Sequence, residues 1–299
     1  MSPMSLFGSL KFPTGISAAD DALINEAFGQ LRARYKNYQD PWGFSLETCE
    51  QALRRLIPLY RYYFKVRLFG KENLTDEAYI VVSNHSGQLP LDGMLMNMAF
   101  VLELDNPRIL RGMVERFMVQ LPFLADLSAQ TGSILGDRAN CQYLLDHGES
   151  ILVFPEGVRG TSKSTVDYYR VQPFTQGFYR IALQKHTRIL PAAVVGAEEM
   201  FPFVWQARAV AKALGMPALP LSANYWPLPS PVDIHLGKPL DVPIDLSPDA
   251  PEKDIKEQVL KVEGQVKRLL AVGLKHRRPF FDPIRKPLSK LILKQEREP

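Results

Sequence analysis

A histidine and an aspartate follow an apolar, β-branched run of the sequence. The stretch VVSNHSGQLPLDG (81–93) contains His85 and Asp92. A neutral imidazole can remove the proton from a hydroxyl as its oxygen attacks a carbonyl, and a nearby carboxylate can fix the tautomer of the ring. The same carboxylate stabilises the imidazolium cation that forms. We therefore interpret His85 as a general base and Asp92 as the residue that orients it.

The same residues also have a purely structural interpretation. Asn84 would then be a capping residue, His85 a structural histidine, and Asp92 a residue that favours a helix start. The sequence contains no G-x-S-x-G motif, and neither Cys49 nor Cys141 shares a loop with a histidine. A covalent serine or cysteine mechanism therefore has no obvious nucleophile, and direct attack by an acceptor substrate is the simpler chemistry.

Two arginines follow short apolar runs further along the chain. Arg138 ends the stretch GSILGDR (132–138), and Arg159 follows Gly157 in FPEGVRG (154–160). Two guanidinium groups and the N–H groups of a glycine turn would bind a phosphate monoester well. Alternatively, both arginines are surface residues, and Glu156 pairs with Arg159 or caps the next segment. Neither a P-loop nor G-x-G-x-x-G is present, which argues against nucleotide hydrolysis and dinucleotide binding.

Both groups of residues lie where the sequence predicts the ends of strands. Runs that are typical of strands cover 78–83, 108–113, 151–154, 188–195 and 232–236, and helices are predicted at 17–36, 45–64, 91–103, 139–147, 174–186 and 252–272. This alternation predicts an α/β fold with a mostly parallel central sheet covered by helices, preceded by an N-terminal helical segment. In such sheets, functional residues collect at the carboxyl ends of the strands.

The bulk composition limits the remaining possibilities. A chain of 299 residues with 46% hydrophobic content can bury a substantial core, and a formal charge of +4 is only a mild excess of base. The two cysteines form no C-x-x-C motif, so we predict no metal site and no disulfide framework. The N-terminus lacks the pattern of a secretory signal, and no run reaches about 18 apolar residues. We therefore expect any contact with a membrane to be peripheral.

Four blocks of the sequence resemble, in order and spacing, those of the glycerolipid (lysophospholipid) acyltransferase family. They are NH-x6-D from Asn84, G-x-I-L-x-x-R from Gly132, FPEG-x-R from Phe154, and the apolar ILPAAVVGAEE of residues 189–199. The stretches DPWGF, LIPLYRYYFKVRLFGKENL and VSNHSGQLPLDG are most similar to the monoacylglycerol/diacylglycerol acyltransferase-like branch. The resemblance covers roughly residues 40–240.

The resemblance implies transfer of a fatty acyl group from acyl-CoA or acyl carrier protein to the hydroxyl of a lysophospholipid or acylglycerol. It implies no metal, no cofactor beyond the acyl donor, and no acyl-enzyme. His85 would deprotonate the hydroxyl, and Asp92 would orient His85. The resemblance assigns the acceptor site to residues of the second, third and fourth blocks, which are Gly132, Arg138, Glu156, Gly157, Arg159 and Pro191.

Two departures from the family pattern bear on this site. Six residues separate His85 from Asp92 where most members have four, so the added region must loop for the two side chains to meet. The commonest third block ends in Arg-Ser, whereas this chain has Arg159, Gly160 and Thr161. The identity of the acceptor therefore stays open between a lysophosphatidate, another lysolipid and a monoacylglycerol.

We predict three regions along the chain. Residues 1–70 form an N-terminal helical segment that can lie at a membrane interface, residues 71–275 form the α/β acyltransferase domain, and residues 276–299 form a basic tail. The helix within 45–67, the aromatic segment 200–231 and the tail are candidates for membrane contact, although each can equally pack into the core.

The predicted partners are a lipid acceptor, an acyl donor and a membrane surface, and the predicted location is the cytoplasmic face of a membrane, in peripheral contact. Nucleic acid is not an expected partner, because no nucleic-acid-binding fold accompanies the basic tail. Two other functions remain open: a non-catalytic lipid-binding or membrane-scaffold protein with the same fold, and a lipid esterase that gives water the place of the acceptor.

Overall fold

The computed structural model describes residues 15–86, 90–116, 124–161, 163–202, 205–206, 220–222, 224 and 226–278. The helices are α1 Ala18–Arg34, α2 Leu46–Pro58, α3 Leu91–Leu102, α4 Leu124–Gln130, α5 Arg138–Asp146, α6 Val158–Thr161, α7 Gly177–Lys185 and α8 Glu252–Lys275. A π-helical turn covers Leu59–Tyr63, and 3-10 turns cover Lys71–Asn73, Thr165–Asp167 and Ala197–Met200. The strands are β1 Arg67–Phe69, β2 Ile80–Ser83, β3 Arg111–Val114, β4 Ile134–Leu135, β5 Ile151–Val153, β6 Ile189–Val195, β7 Trp205–Gln206, β8 Pro220–Leu221 and β9 Asp233–Leu236.

Seven of these strands form one sheet in the order β1-β9-β6-β2-β5-β3-β4. The five strands from β6 to β4 are parallel to one another, and β9 is antiparallel to β6 and parallel to β1. Strands β7 and β8 form a separate antiparallel pair. This mostly parallel, helix-covered sheet confirms the predicted α/β fold class.

Apolar residues cover both faces of the central strands, as expected for parallel strands between two helical layers. Val81 of β2 and Leu190 of β6 belong to a core that includes residues of α1, α2 and α3. Val82 and Ala193 belong to a second core on the other face, with residues of α5, α7 and α8. The sheet is therefore buried between two helical layers, and its strand ends provide the place for a site.

The N-terminal helices pack onto the first of these cores. Ser17 caps α1 by accepting a hydrogen bond from the backbone N–H of Asp20, and Phe28 is buried in the core that includes α3. The boundary predicted at residue 70 falls just after β1, which pairs with β9 and belongs to the main sheet. The helix predicted over 45–64 is α2 followed by the π-helical turn, and Pro58 is the last residue of α2.

Some elements differ from the sequence prediction. Strands β1 and β4 and helix α4 were not predicted, because two to seven residues are too few to show a hydrophobic period. Most of the basic tail, residues 279–299, and much of the aromatic segment 200–231 lie outside the described residues. Among the residues that are described, no helix has both the length and the apolar character needed to cross a bilayer.

Candidate functional site

The structure brings His85 and Asp92 into direct contact. Nδ1 of His85 lies 2.7 Å from Oδ2 of Asp92. The Asp92 carboxylate is fully buried near the first residue of α3, and it also accepts hydrogen bonds from the backbone N–H groups of Ser86 and Gly93, at 2.8 Å each. Because Nδ1–H donates to this carboxylate, Nε2 of His85 keeps its lone pair and can accept a proton.

Asn84 ties the end of β2 to the neighbouring strand β6. Its side-chain amide donates to the carbonyl of Val194 at 3.0 Å, and its side-chain oxygen accepts from the N–H of the same residue at 2.8 Å. The side chain thus continues the pairing of β2 with β6 by one further step. It places the backbone of the following residue, His85, at the carboxyl edge of the sheet.

The ring of His85 packs against residues that follow β5. It stacks on the ring of Phe154, with 4.1 Å between centroids and 13° between planes. A Cβ atom on Gly160 would lie 2.8 Å from Cβ of His85 and 3.0 Å from Cβ of Glu156. Glycine is therefore needed at position 160, where the family's commonest motif has serine, because any larger side chain would displace the histidine.

Glu156 faces the interior and holds backbone groups. Its Oε1 accepts from the N–H of His85 at 2.8 Å, and its Oε2 accepts from the N–H of Gln172 at 2.6 Å. The same Oε2 lies 3.0 Å from Nζ of Lys163, which also lies 3.1 Å from Oε1 of Glu198. Lys163 was not predicted from the sequence, since an isolated lysine in a polar loop has the pattern of an ordinary surface residue.

Burial and charge act together in this cluster. Burial raises the pKa of Glu198 from 4.5 to about 7, and the attraction of Lys163 only partly opposes the rise. Burial by itself lowers the pKa of Lys163, but the charges of Glu198 and Glu156 outweigh it, so the pKa of Lys163 is raised overall. Lys163 is therefore a permanently charged cation at neutral pH.

The two predicted arginines do not converge on His85. Arg138 is exposed at the start of α5, and its Nη2 and Nε donate to Oε1 of Gln184 at 2.6 and 3.1 Å. Arg159 is also exposed, and its Nη2 donates to the carbonyl of Pro173 at 2.8 Å. Neither side chain is among the described residues that line the cavity beside His85.

Gly132 and Pro191 have positions in the framework of the sheet. Gly132 has a φ of +97°, which favours glycine, and its carbonyl accepts from Nε of the fully buried Arg111 at 2.8 Å. Pro191 lies in β6, where it pairs with Val82 of β2. Neither residue is among the described residues that line the cavity beside His85, and the described contacts of both are within the framework of the fold.

A cavity of about 370 Å³ opens beside His85 and extends between α2, α3 and β3. Its lining is mostly apolar, and α3 contributes Met94, Met98 and Val101 at helical spacing. The apolar and small residues that α1, α2, α4, β5 and the loops contribute include Phe28, Cys49, Ala52, Leu53, Leu56, Leu127, Leu152, Phe154, Gly157 and Val158. The described lining includes one carboxylate, Glu115, whose Oε1 lies 3.3 Å from the position of a Cβ on Gly157.

Helix α2 supplies one wall of this cavity. Two basic side chains, one in α2 and one in the π-helical turn after it, form ion pairs within the protein. Arg54 pairs with Asp21 of α1. Arg61 of the π-helical turn lies 3.1 Å from Asp20 and 2.8 Å from Glu103. These pairs fix α2 against α1 and α3. Both arginines belong to the helix within 45–67 that the sequence made a candidate for membrane contact.

Known proteins resemble this chain over most of its length. Residues 65–195 match the family model described as Acyltransferase. An uncharacterized protein of Mycobacterium tuberculosis is 32% identical over 270 residues, covering 83% of this chain and 75% of that protein. A probable 1-acyl-sn-glycerol-3-phosphate acyltransferase of Mycoplasma pneumoniae is 25% identical over 175 residues, covering 54% of this chain and 62% of that protein. The crystal structure of the 1-acyl-sn-glycerophosphate acyltransferase of Thermotoga maritima superposes with a TM-score of 0.45 and 16% identity, covering 84% of this chain and 97% of that one. The chain belongs to the glycerolipid acyltransferase family.

Proposed function

We propose that this protein transfers a fatty acyl group from acyl-CoA or acyl carrier protein to the hydroxyl of a lysophospholipid or acylglycerol. The observation that carries the proposal is the position of His85. Its Nδ1 is held by Asp92 at 2.7 Å, and His85 lines an apolar cavity. A base beside a space for an acyl chain is the arrangement that transfer of an acyl group requires.

The proposed reaction proceeds by direct attack. Nε2 of His85 takes the proton of the acceptor hydroxyl as its oxygen attacks the thioester carbonyl, and Asp92 stabilises the imidazolium ion that forms. When the tetrahedral intermediate collapses, the carbon–sulfur bond breaks and the thiolate receives the proton from His85. This step needs no metal ion, no cofactor and no acyl-enzyme. General base catalysis of this kind contributes about 100-fold to 10,000-fold in rate.

The cavity suits the acyl chain of the donor. Transfer of each methylene group from water to an apolar environment contributes about 0.8 kcal/mol, so an apolar lining favours a long chain over a short one. Among the acceptor residues that the family resemblance assigns, Gly157 lines the cavity and Arg159 lies two residues further on, in α6. We therefore place the head group of the acceptor at Gly157 and the start of α6.

The proposed location is the cytoplasmic face of a membrane, in peripheral contact. Lipid substrates are held in bilayers, so the cavity entrance has to approach one. Leu127 supports this orientation, because it lines the cavity and is also 51% exposed. Trp226 is 62% exposed and can enter the interfacial region of a bilayer, where tryptophan is favoured.

The test is an assay of wild-type protein and His85→Ala with two labelled donors, acyl-CoA and acyl-acyl carrier protein, and a panel of acceptors. The panel contains lysophosphatidate, lysophosphatidylcholine and monoacylglycerol, so it also identifies the acceptor. We expect wild type to form an acylated lipid and His85→Ala to lose about 100-fold to 10,000-fold in kcat. The control is His147→Ala, since the exposed ring of His147 lies at the end of α5.

Two outcomes would contradict the proposal. Release of free fatty acid without an acylated lipid would indicate the esterase. Binding of lipid with no turnover by wild type, with either donor, would indicate a lipid-binding or scaffold protein.

A further inference from the structure

Both backbone polar groups of His85 bind to one buried ion cluster. The N–H of His85 donates to Oε1 of Glu156 at 2.8 Å, and the carbonyl of His85 accepts from Nζ of Lys163 at 3.2 Å. His85 lies two residues beyond Ser83, the last residue of β2, so its own peptide groups are outside the ladder of the sheet. Its backbone position therefore depends on Glu156 and Lys163.

Lys163 is fully committed to this cluster. An ammonium group has three donors, and here they have three acceptors: the carbonyl of His85, Oε2 of Glu156 and Oε1 of Glu198. The Lys163 side chain is only 3% exposed. The three acceptors follow β2, β5 and β6, which are adjacent in the sheet. Lys163 thus joins the carboxyl ends of three neighbouring strands at one point.

We propose that Lys163 is a positioning residue for acyl transfer, because its ammonium group fixes the peptide of His85 and so holds Nδ1 on Asp92 and the ring at the cavity. This inference rests on the proposed function, in which His85 is the base. A displacement of about 1 Å at a reacting group costs about 100-fold in rate. A residue that holds the backbone of the base can therefore affect turnover without contacting either substrate.

The charges in the cluster determine which variants can test this role. The ionisable groups around His85 are Asp92 of α3 and the cluster of Glu156, Lys163 and Glu198, and Glu115 lines the same cavity. Lys163→Met alone would leave two buried carboxylates without their cation, which is strongly destabilising.

The combined variant Lys163→Met with Glu198→Gln reduces this problem from two carboxylates to one. It removes one positive and one negative charge, so the net charge of the cluster with ionised carboxylates is unchanged. It also removes the donor that holds the carbonyl of His85. Glu156 is then the one carboxylate of the cluster without a cation, and it keeps the N–H groups of His85 and Gln172 as donors.

Two measurements on the combined variant test the proposal. Steady-state kinetics should show kcat lowered about 10- to 100-fold, with KM changed less than about threefold because the cavity lining is intact. In addition, 15N NMR of the neutral His85 ring, assigned by the loss of its signal in His85→Gln, should show a single Nδ1–H tautomer in wild type. The variant should show a mixture of tautomers.

Lys185→Met is the matched control, because Lys185 pairs with Asp146 between α5 and α7, away from the cavity lining. We expect it to keep kcat within about twofold and the wild-type tautomer. The proposal is wrong if the combined variant keeps both kcat and the single tautomer. Failure of that variant to fold would also overturn it, because Lys163 would then serve stability alone. If wild type shows no turnover, the proposed function fails, and the NMR comparison still decides the role of Lys163.

Discussion

Gly160 leaves no room for a side chain beside the proposed base. A methyl group on Gly160 would lie 2.8 Å from Cβ of His85 and 3.0 Å from Cβ of Glu156, closer than ordinary van der Waals contact. We expect Gly160→Ala to move His85 and to lower kcat about 10- to 100-fold. The control is Gly177→Ala, because no atom lies within 4 Å of a Cβ on Gly177. Equal kcat values for wild type and Gly160→Ala, measured on folded proteins, would contradict the steric argument.

At the residue scale, the side chains proposed to react are easier to identify from the sequence than the residues that hold those side chains in position. His85 and Asp92 could be selected by residue type and by their place after a strand, and they lie in contact. Lys163 and Gly160 could not be selected in this way. Their importance comes from the approach of three strand ends, which only the folded sheet specifies.

At the scale of elements, the cavity is formed by the facing sides of α2 and α3. Val101 of α3 lies two turns along the helix from Met94, and both residues line the cavity. We expect Val101→Phe to shorten the space for the acyl chain by about two or three methylene groups. Because each contributes about 0.8 kcal/mol, kcat/KM for long-chain donors should fall about 10- to 50-fold, and short-chain donors should be less affected.

The control for this prediction is Leu260→Phe, since Leu260 is exposed on α8 and does not line the cavity. The measurement is kcat/KM for a series of donors of increasing chain length. A uniform decrease for all donors would place the acyl chain elsewhere.

The elements themselves were largely predictable from the period of apolar residues. Helix α3 covers Leu91–Leu102 against a predicted 91–103, and β6 covers Ile189–Val195 against a predicted 188–195. The antiparallel direction of β9 was not predictable, because a buried strand has the same apolar pattern in either direction. Arg54 pairs with Asp21, and Arg61 pairs with Asp20 and Glu103. These pairs depend on helix packing, which the local sequence around the two arginines does not contain.

At the scale of the whole molecule, Glu198 makes stability depend on pH. Burial raises its pKa from 4.5 to about 7, so the folded protein binds the proton of Glu198 more tightly than the unfolded chain does. This contribution to the free energy of unfolding is fully present below about pH 4.5 and is lost as the pH rises through about 7. One unit of pKa corresponds to about 1.4 kcal/mol, so the loss is about 3 to 4 kcal/mol.

Glu198→Gln removes this titration. We expect the free energy of unfolding, measured by denaturant titration between about pH 4.5 and 8, to fall less with rising pH in this variant than in wild type. Glu257→Gln is the control, because the Glu257 side chain is 71% exposed, and its curve should parallel that of wild type. If the free energy of unfolding changes with pH in the same way in wild type and Glu198→Gln, then the pKa of Glu198 is the same in the folded and unfolded states, and the prediction is wrong.

The pairing of β1 with β9 also determines when one edge of the sheet can form during synthesis. A bidentate pair between Arg67 and Asp233, which are 166 positions apart, joins the two strands. His85 and Asp92 are synthesised before Asp233, so both are already part of the nascent chain when Asp233 leaves the ribosome. Because β1 pairs with β9, this edge of the sheet can be completed only after β9 has been synthesised.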